Sequence, residues 1–163
     1  MFLPLLLGCL TVFVSMAIQI VAVVFMLNYL FNLMSHDKSR FSGYLMNTYV
    51  ISVVMLMLFI GNMVQVAIWA ALFMHLDEFG DFATAFYHST VNFASLGYGD
   101  IVMSEKWRLL GAIEASNGVL MFGLSAGMML SVMTRMLATR PEFKDRMLSL
   151  KDSQEKGSRS DPK

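Results

Sequence analysis

The stretch Ser95-Leu96-Gly97-Tyr98-Gly99-Asp100 places glycine at every second position around a tyrosine. Glycine accepts left-handed backbone angles that a Cβ penalises, so such residues alternating with ordinary ones let successive carbonyl oxygens face one side of the chain. A column of carbonyl oxygens is a ligand set for a dehydrated monovalent cation. The Ser95 hydroxyl can add an oxygen at the inner end, while Leu96 and Tyr98 project their side chains away from the column into surrounding protein. Such backbone is neither helix nor sheet, and at membrane depth it is tolerated only where protein buries it or where it lines a water-filled cavity.

The rest of the chain supplies that membrane setting. Of its 163 residues 56% are hydrophobic, and the mean hydropathy is +0.60, far from a soluble composition. The zero formal net charge is unevenly spread, because Asp, Glu, Lys and Arg are absent from residues 1–36, 41–76 and 115–134. Each gap holds a spanning helix, for which about 20 apolar residues suffice. Three spans are therefore expected. The first lacks a basic leading region and a small-residue cleavage site, so it is read as a retained helix and not as a signal peptide. Cys9 is the single cysteine, which excludes a disulfide within the chain and a cysteine-based metal cluster.

Lys38 and Arg40 lie between the first two gaps, and Arg135, Arg140, Lys144, Arg146 and Lys151 follow the third. Short loops rich in Lys and Arg stay cytoplasmic, which places the N-terminus outside, the C-terminus in the cytoplasm and the chain in the cell membrane. The segment between the second and third spans then faces outward. It opens with Asp77, Glu78 and Asp81 and carries a short apolar helical pattern over 81–94, with Asp81 as its cap. That helix is too short to cross a bilayer and is expected to be re-entrant. Beyond Pro141, residues 142–151 have helical spacing of Phe143, Met147 and Leu150, and 152–163 have no apolar residue to bury.

A re-entrant helix followed by Ser-Leu-Gly-Tyr-Gly-Asp resembles the pore loop of the potassium channel family. Ala85-Phe86-Tyr87-His88 is similar to the pore-helix stretch in which many members carry two tryptophans, and Trp107-Arg108-Leu109 is similar to the start of their inner helix. Gly118 falls where the family often places a gating-hinge glycine, with Phe122 and Gly123 following at matching distance. The resemblance spans about 47–136 and leaves the first helix and the tail outside it. It implies an all-α membrane protein with three transmembrane helices, a re-entrant pore helix and a filter loop. The expected parts are an extra helix (1–34), a cytoplasmic loop (35–46), a pore module (47–140) and a tail (141–163). Within the module the expected elements are an outer helix 47–75, pore helix 81–94, filter 95–100 and inner helix 106–139.

By the same resemblance K+ is held at Ser95, Leu96, Gly97, Tyr98 and Gly99 as the permeant ion, with no other cofactor. Asp100, Tyr87 and His88 support the filter from behind. Tyr87 is expected beside Asp100, and His88 beside the Tyr98 ring of the same or an adjacent subunit. One chain carries one filter strand and a fourfold ring needs four, so the expected partners are three identical subunits in a lipid bilayer, with monovalent cations and no nucleic acid. The sequence departs from the family at Ala94 and Ser95, where threonines are usual, and at Val91, where some relatives carry a glutamate that holds the filter aspartate. A weakly selective cation channel and a non-conducting accessory protein are the alternatives. An enzyme is not expected, since no nucleophile, base or metal-ligand cluster stands in a plausible site.

Within the third span Glu114 and Asn117 are polar groups in an apolar helix, and such groups mark function or interhelical bonding. For Glu114 a bond to the back of the pore helix or to Arg108 is preferred over direct ion contact. Close helix packing is the preferred role of Gly111, Gly123 and Gly127, and hinging that of Gly118. The first span is expected to divide its apolar faces between lipid and the second span.

Overall fold

In the computed structural model, residues 2–36, 44–138 and Ser149 are described. Four helices follow one another: α1 (Phe2–His36), α2 (Tyr44–His75), α3 (Phe82–Phe93) and α4 (Arg108–Ala138). The described residues contain no strand. Three of the helices are long and apolar enough to cross a membrane, over Phe2–Asn32, Asn47–His75 and Arg108–Met136. Each is apolar around its circumference, as suits a helix surrounded by lipid and other helices. The protein is accordingly a multi-pass, all-helical membrane protein. Apart from Ser149, the expected amphipathic segment after Pro141 and the tail lie outside the described residues, as does most of the loop between the first two spans.

At 12 residues, α3 is about 18 Å long, well short of a hydrocarbon core of about 30 Å. Asp81 caps it, accepting from Thr84 N at 2.9 Å and from the Thr84 hydroxyl at 2.7 Å. Those two bonds hold the Asp81 carboxyl below its ordinary pKa, the side-chain bond being the larger cause. α4 begins at Arg108, slightly later than expected, because a turn intervenes in which the Trp107 and Arg108 amides donate to the Ser104 carbonyl. Ser104 in turn donates through its amide and hydroxyl to the Glu78 carboxylate, at 2.8 and 2.6 Å. Glu78 and Asp81 are thus engaged in local hydrogen bonds that shape the segment between α2 and α4.

α3 is wedged between α2 and α4, while α1 packs against both α2 and α4. One cluster joins Val66, Trp69 and Phe73 of α2 with Phe93 of α3 and Leu110 and Met121 of α4. A second joins Met26 and Leu30 of α1 with Val50, Val54 and Leu58 of α2 and Val132 of α4. Between them in the chain register Gln65 Nε2 donates to Gln19 Oε1 at 2.7 Å, and Gln19 Nε2 donates to the Ser125 hydroxyl at 3.2 Å. Gln19 and Gln65 are fully buried. Gly61 leaves room for this contact, since a Cβ there would stand 3.2 Å from Gln19 Oε1.

The successive contacts of α1 with Ile113 at Gly8, with Ser125 at Gln19 and with Val132 near Met26 and Leu30 make it parallel to α4. The expectation that α1 touches only lipid and the second span is therefore corrected. Gly8 brings the backbones close enough that a Cβ would come within 2.6 Å of the Ile113 side chain. A glutamine in α1 with no charged partner needs other polar groups at its own depth, and α2 and α4 both offer one.

Candidate functional site

The chain leaves α3 through a tight reversal. The Ala94 amide donates to the Thr90 carbonyl, Ser95 to Asn92 and Leu96 to Val91, which satisfies the carbonyls at the helix end. From there positive φ recurs at every second residue: Ser95 at 56°, Gly97 at 57° and Gly99 at 73°. Glycine at 97 and 99 was legible from the sequence as a source of this geometry. Ser95 was not, because a serine in the left-handed region is set by the closure of α3 and by no signal in its own type. An alternation of this kind lets successive carbonyls face one side, which is the arrangement a column of oxygen ligands requires. In the single chain Leu96 is 53% and Tyr98 66% exposed, so this chain's own packing does not cover them. A cavity of about 510 Å³ adjoins the loop, lined by Gly97 and Gly99 together with Val91, Asn92 and Gly111.

Two α3 side chains hold the far end of the loop. The Tyr87 hydroxyl donates to Asp100 Oδ2 at 2.8 Å. That bond, to an acceptor that is charged, raises the Tyr87 phenol above its ordinary pKa, with burial and the charge adding to it. One residue on, His88 Nδ1 lies 3.0 Å from the Ile101 carbonyl and its second nitrogen 2.8 Å from Asn92 Nδ2. A carbonyl only accepts, so Nδ1 carries the ring proton and Nε2 accepts from the Asn92 amide. Burial lowers the His88 pKa, against smaller opposing contributions from Ile101, Asp100 and Glu78. Its ring packs on Phe79 and Phe73, with centroids 4.9 and 5.7 Å away. Within the chain these rings occupy the place expected for Tyr98.

Behind the loop, α4 meets the end of α3 at Gly118. A Cβ on Gly118 would fall on the Phe93 carbonyl oxygen and stand 2.7 Å from its carbon. Gly111 is also tight, 3.0 Å from Asn92 Nδ2, whereas a Cβ on Gly123 or Gly127 would meet nothing within 4 Å. Close packing within the chain thus falls on Gly118 and Gly111, and not on Gly123 and Gly127. Phe122 stacks edge-on against Phe93, with centroids 5.6 Å apart. Glu114 is fully buried and turns to Ser89 of α3, in a contact shorter than an ordinary hydrogen bond. Asn117 is 1% exposed, and neither atom of its amide has a hydrogen-bond partner among the described residues. The contact between Glu114 and Ser89 joins residues 25 positions apart. The sequence marks Glu114 by its charge, but Ser89 carries no comparable signal.

These elements coincide with a known family. Residues 51–135, more than half of the chain, match the model of a family described as "Ion channel". The match begins within α2, covers α3 and the loop, and ends three residues before α4 does; α1 lies outside it. None of the curated proteins and none of the solved structures compared with the chain matches it. With a short wedged helix, a loop of alternating backbone hand and two spanning helices inside the matched region, the chain belongs to the ion channel family.

Proposed function

We propose that the chain is one subunit of a homotetrameric potassium-selective channel whose filter is residues 95–99. The observation that carries this reading is the positive φ at Ser95, Gly97 and Gly99 directly after a helix too short to span. Four such strands around one axis supply rings of carbonyl oxygens that replace the hydration shell of K+. The C-terminal end of α3 carries partial negative charge and favours a cation below the filter. Asp100, held by Tyr87, adds negative charge at the outer mouth.

The tetramer is also favoured by what the single chain leaves open. Leu96 and Tyr98 are bare and a cavity adjoins the loop, so side chains of an adjacent subunit have both something to cover and somewhere to go. In this reading the basic residues beyond the spans place the C-terminus in the cytoplasm and the N-terminus outside. Gly118 is the point about which the inner helix pivots, hinging where its backbone bears directly on α3.

Gly99→Ala tests the filter assignment. An added Cβ disfavours the φ of 73°, by about 1 kcal/mol or more at each of four equivalent positions. The variant is expected to assemble normally in mild detergent yet lose K+ flux in proteoliposomes. Undiminished selective flux would place the filter elsewhere.

A further inference from the structure

Ser89 stands where three helices meet. Its hydroxyl oxygen lies 2.9 Å from the Val66 carbonyl oxygen of α2 and in short contact with Glu114 Oε1 of α4. Ser89 and Glu114 are fully buried and Val66 is 1% exposed. A hydroxyl owns one proton and a carbonyl none, so two full hydrogen bonds here take two protons, since a single proton shared between both acceptors leaves each bond weak. Val66 can only accept, and Ser89 must spend its proton there. The second proton has to come from the Glu114 carboxyl, which when ionised is an acceptor only.

The surroundings agree with that count. Glu114 Oε2 has no hydrogen-bond partner among the described residues. On α3 the flanking polar groups are His88 and Asn92, which bond each other and Ile101, and the Asn92 amide, with its second N–H, also turns toward Glu114. What α2 brings to the meeting point is a backbone carbonyl. An ionised carboxylate in this position would be a buried charge with no cation beside it among the described residues.

We infer that Glu114 is held as a neutral carboxylic acid that donates to Ser89, so that one hydroxyl ties α3 to α2 and α4 together and makes Glu114 a positioning residue for the filter. Ser89 lies six residues before Ser95. Other ties of this helix include the Gly118 contact at its end and the Tyr87 and His88 bonds to the loop. Loss of the acid's proton would turn the contact with Ser89 into competition for a single hydrogen, and the hold on either α2 or α4 would be released. The consequence for the filter rests on the proposed channel function; the protonation state does not.

The test uses the full-length protein in proteoliposomes, read in two ways. Difference infrared spectroscopy should show the carbonyl stretch of a protonated carboxylic acid that shifts in heavy water and is absent from Glu114→Gln. Absence of such a band in the wild type would overturn the inference whether or not the protein conducts. In flux measurements Glu114→Gln keeps a neutral donor toward Ser89 and should retain the wild-type ratio of Na+ to K+ permeability. Ser89→Ala and Glu114→Leu should each raise that ratio about five- to tenfold, the equilibrium factor of one lost hydrogen bond. The double variant should do no worse than either single one. If Glu114→Leu does not assemble, Ser89→Ala and Glu114→Gln still decide the matter. A Glu114→Gln channel as unselective as Ser89→Ala, or a Ser89→Ala channel with the wild-type ratio, would refute the positioning role.

Discussion

Replacing Gln19 with leucine should loosen α1 from the rest of the protein by an amount the structure lets one bound. The substitution removes the acceptor of Gln65 Nε2, at 2.7 Å, and the donor to Ser125, at 3.2 Å. Gln65 Oε1 already lacks a partner, so the whole Gln65 amide would be stranded in a fully buried position. Stranding one buried donor costs about 1–3 kcal/mol in water-soluble proteins. Interhelical hydrogen bonds in membranes average only about 0.6 kcal/mol, with a maximum near 1.7, because the separated helices find other partners. For two bonds, one of them long, a loss of about 1–2 kcal/mol is expected. Replacing Gln65 by leucine as well removes the stranded group and should restore most of the loss. The assay is a double-mutant cycle on reversible unfolding of the full-length protein in mixed micelles, with retention of ion preference as a control. If the two single losses add to within about 0.3–0.5 kcal/mol, the glutamines do not interact and the packing of α1 against α2 rests on apolar contacts alone.

Three further outcomes follow from the site. Gly118→Ala forces a Cβ into the Phe93 carbonyl and should destabilise the protein by about 1–3 kcal/mol or more as α4 and α3 are pushed apart; thermal unfolding at the wild-type temperature would contradict the packing. Tyr87→Phe removes the donor to Asp100 while keeping the ring, and in the proposed channel should leave the fold intact but hasten loss of current during sustained opening; an unchanged time course would mean that the bond does not support the loop. Because burial lowers the folded pKa of His88, its contribution to stability is fully present above about pH 6.5 and is lost as pH falls through the folded value. Protonation gives Nε2 a hydrogen that faces the Asn92 amide, so acidification should weaken the hold on the loop at Ile101, and in the proposed channel external acidification should weaken the outer end of the filter. Flux measured against external pH in wild type and His88→Gln checks this, the expected result being that the acid-sensitive step disappears in the variant.

Much of this architecture was legible in the sequence because membrane insertion writes itself in one dimension. Gaps in charge mark α1, α2 and α4, since lipid admits few alternatives to an uninterrupted apolar helix. Asp81 and Gly97 announce the start of α3 and the break after it through the conformational habits of their own residue types. What could not be read depends on which helix faces go together. The apolar circumference of α1 gives it no preferred side, and although Gln19 asks for polar neighbours, a glutamine does not say whether its partner is Gln65, Ser125 or both. Gly118 and Gly123 look alike as letters. Only the crossing of α4 over the end of α3 separates the glycine that bears on Phe93 from the one that meets nothing. The left-handed Ser95 likewise follows from how α3 closes, with its amide already given to Asn92.

The most direct test of the central claim is the reversal potential of the purified protein in a planar bilayer. With K+ on one side and an equal concentration of Na+ on the other, a filter built from residues 95–99 should carry current that reverses at a strongly K+-selective potential and is lost in Gly99→Ala. A reversal potential near zero would contradict potassium selectivity and leave a cation channel without preference, and the absence of any current from intact tetramers would contradict conduction itself.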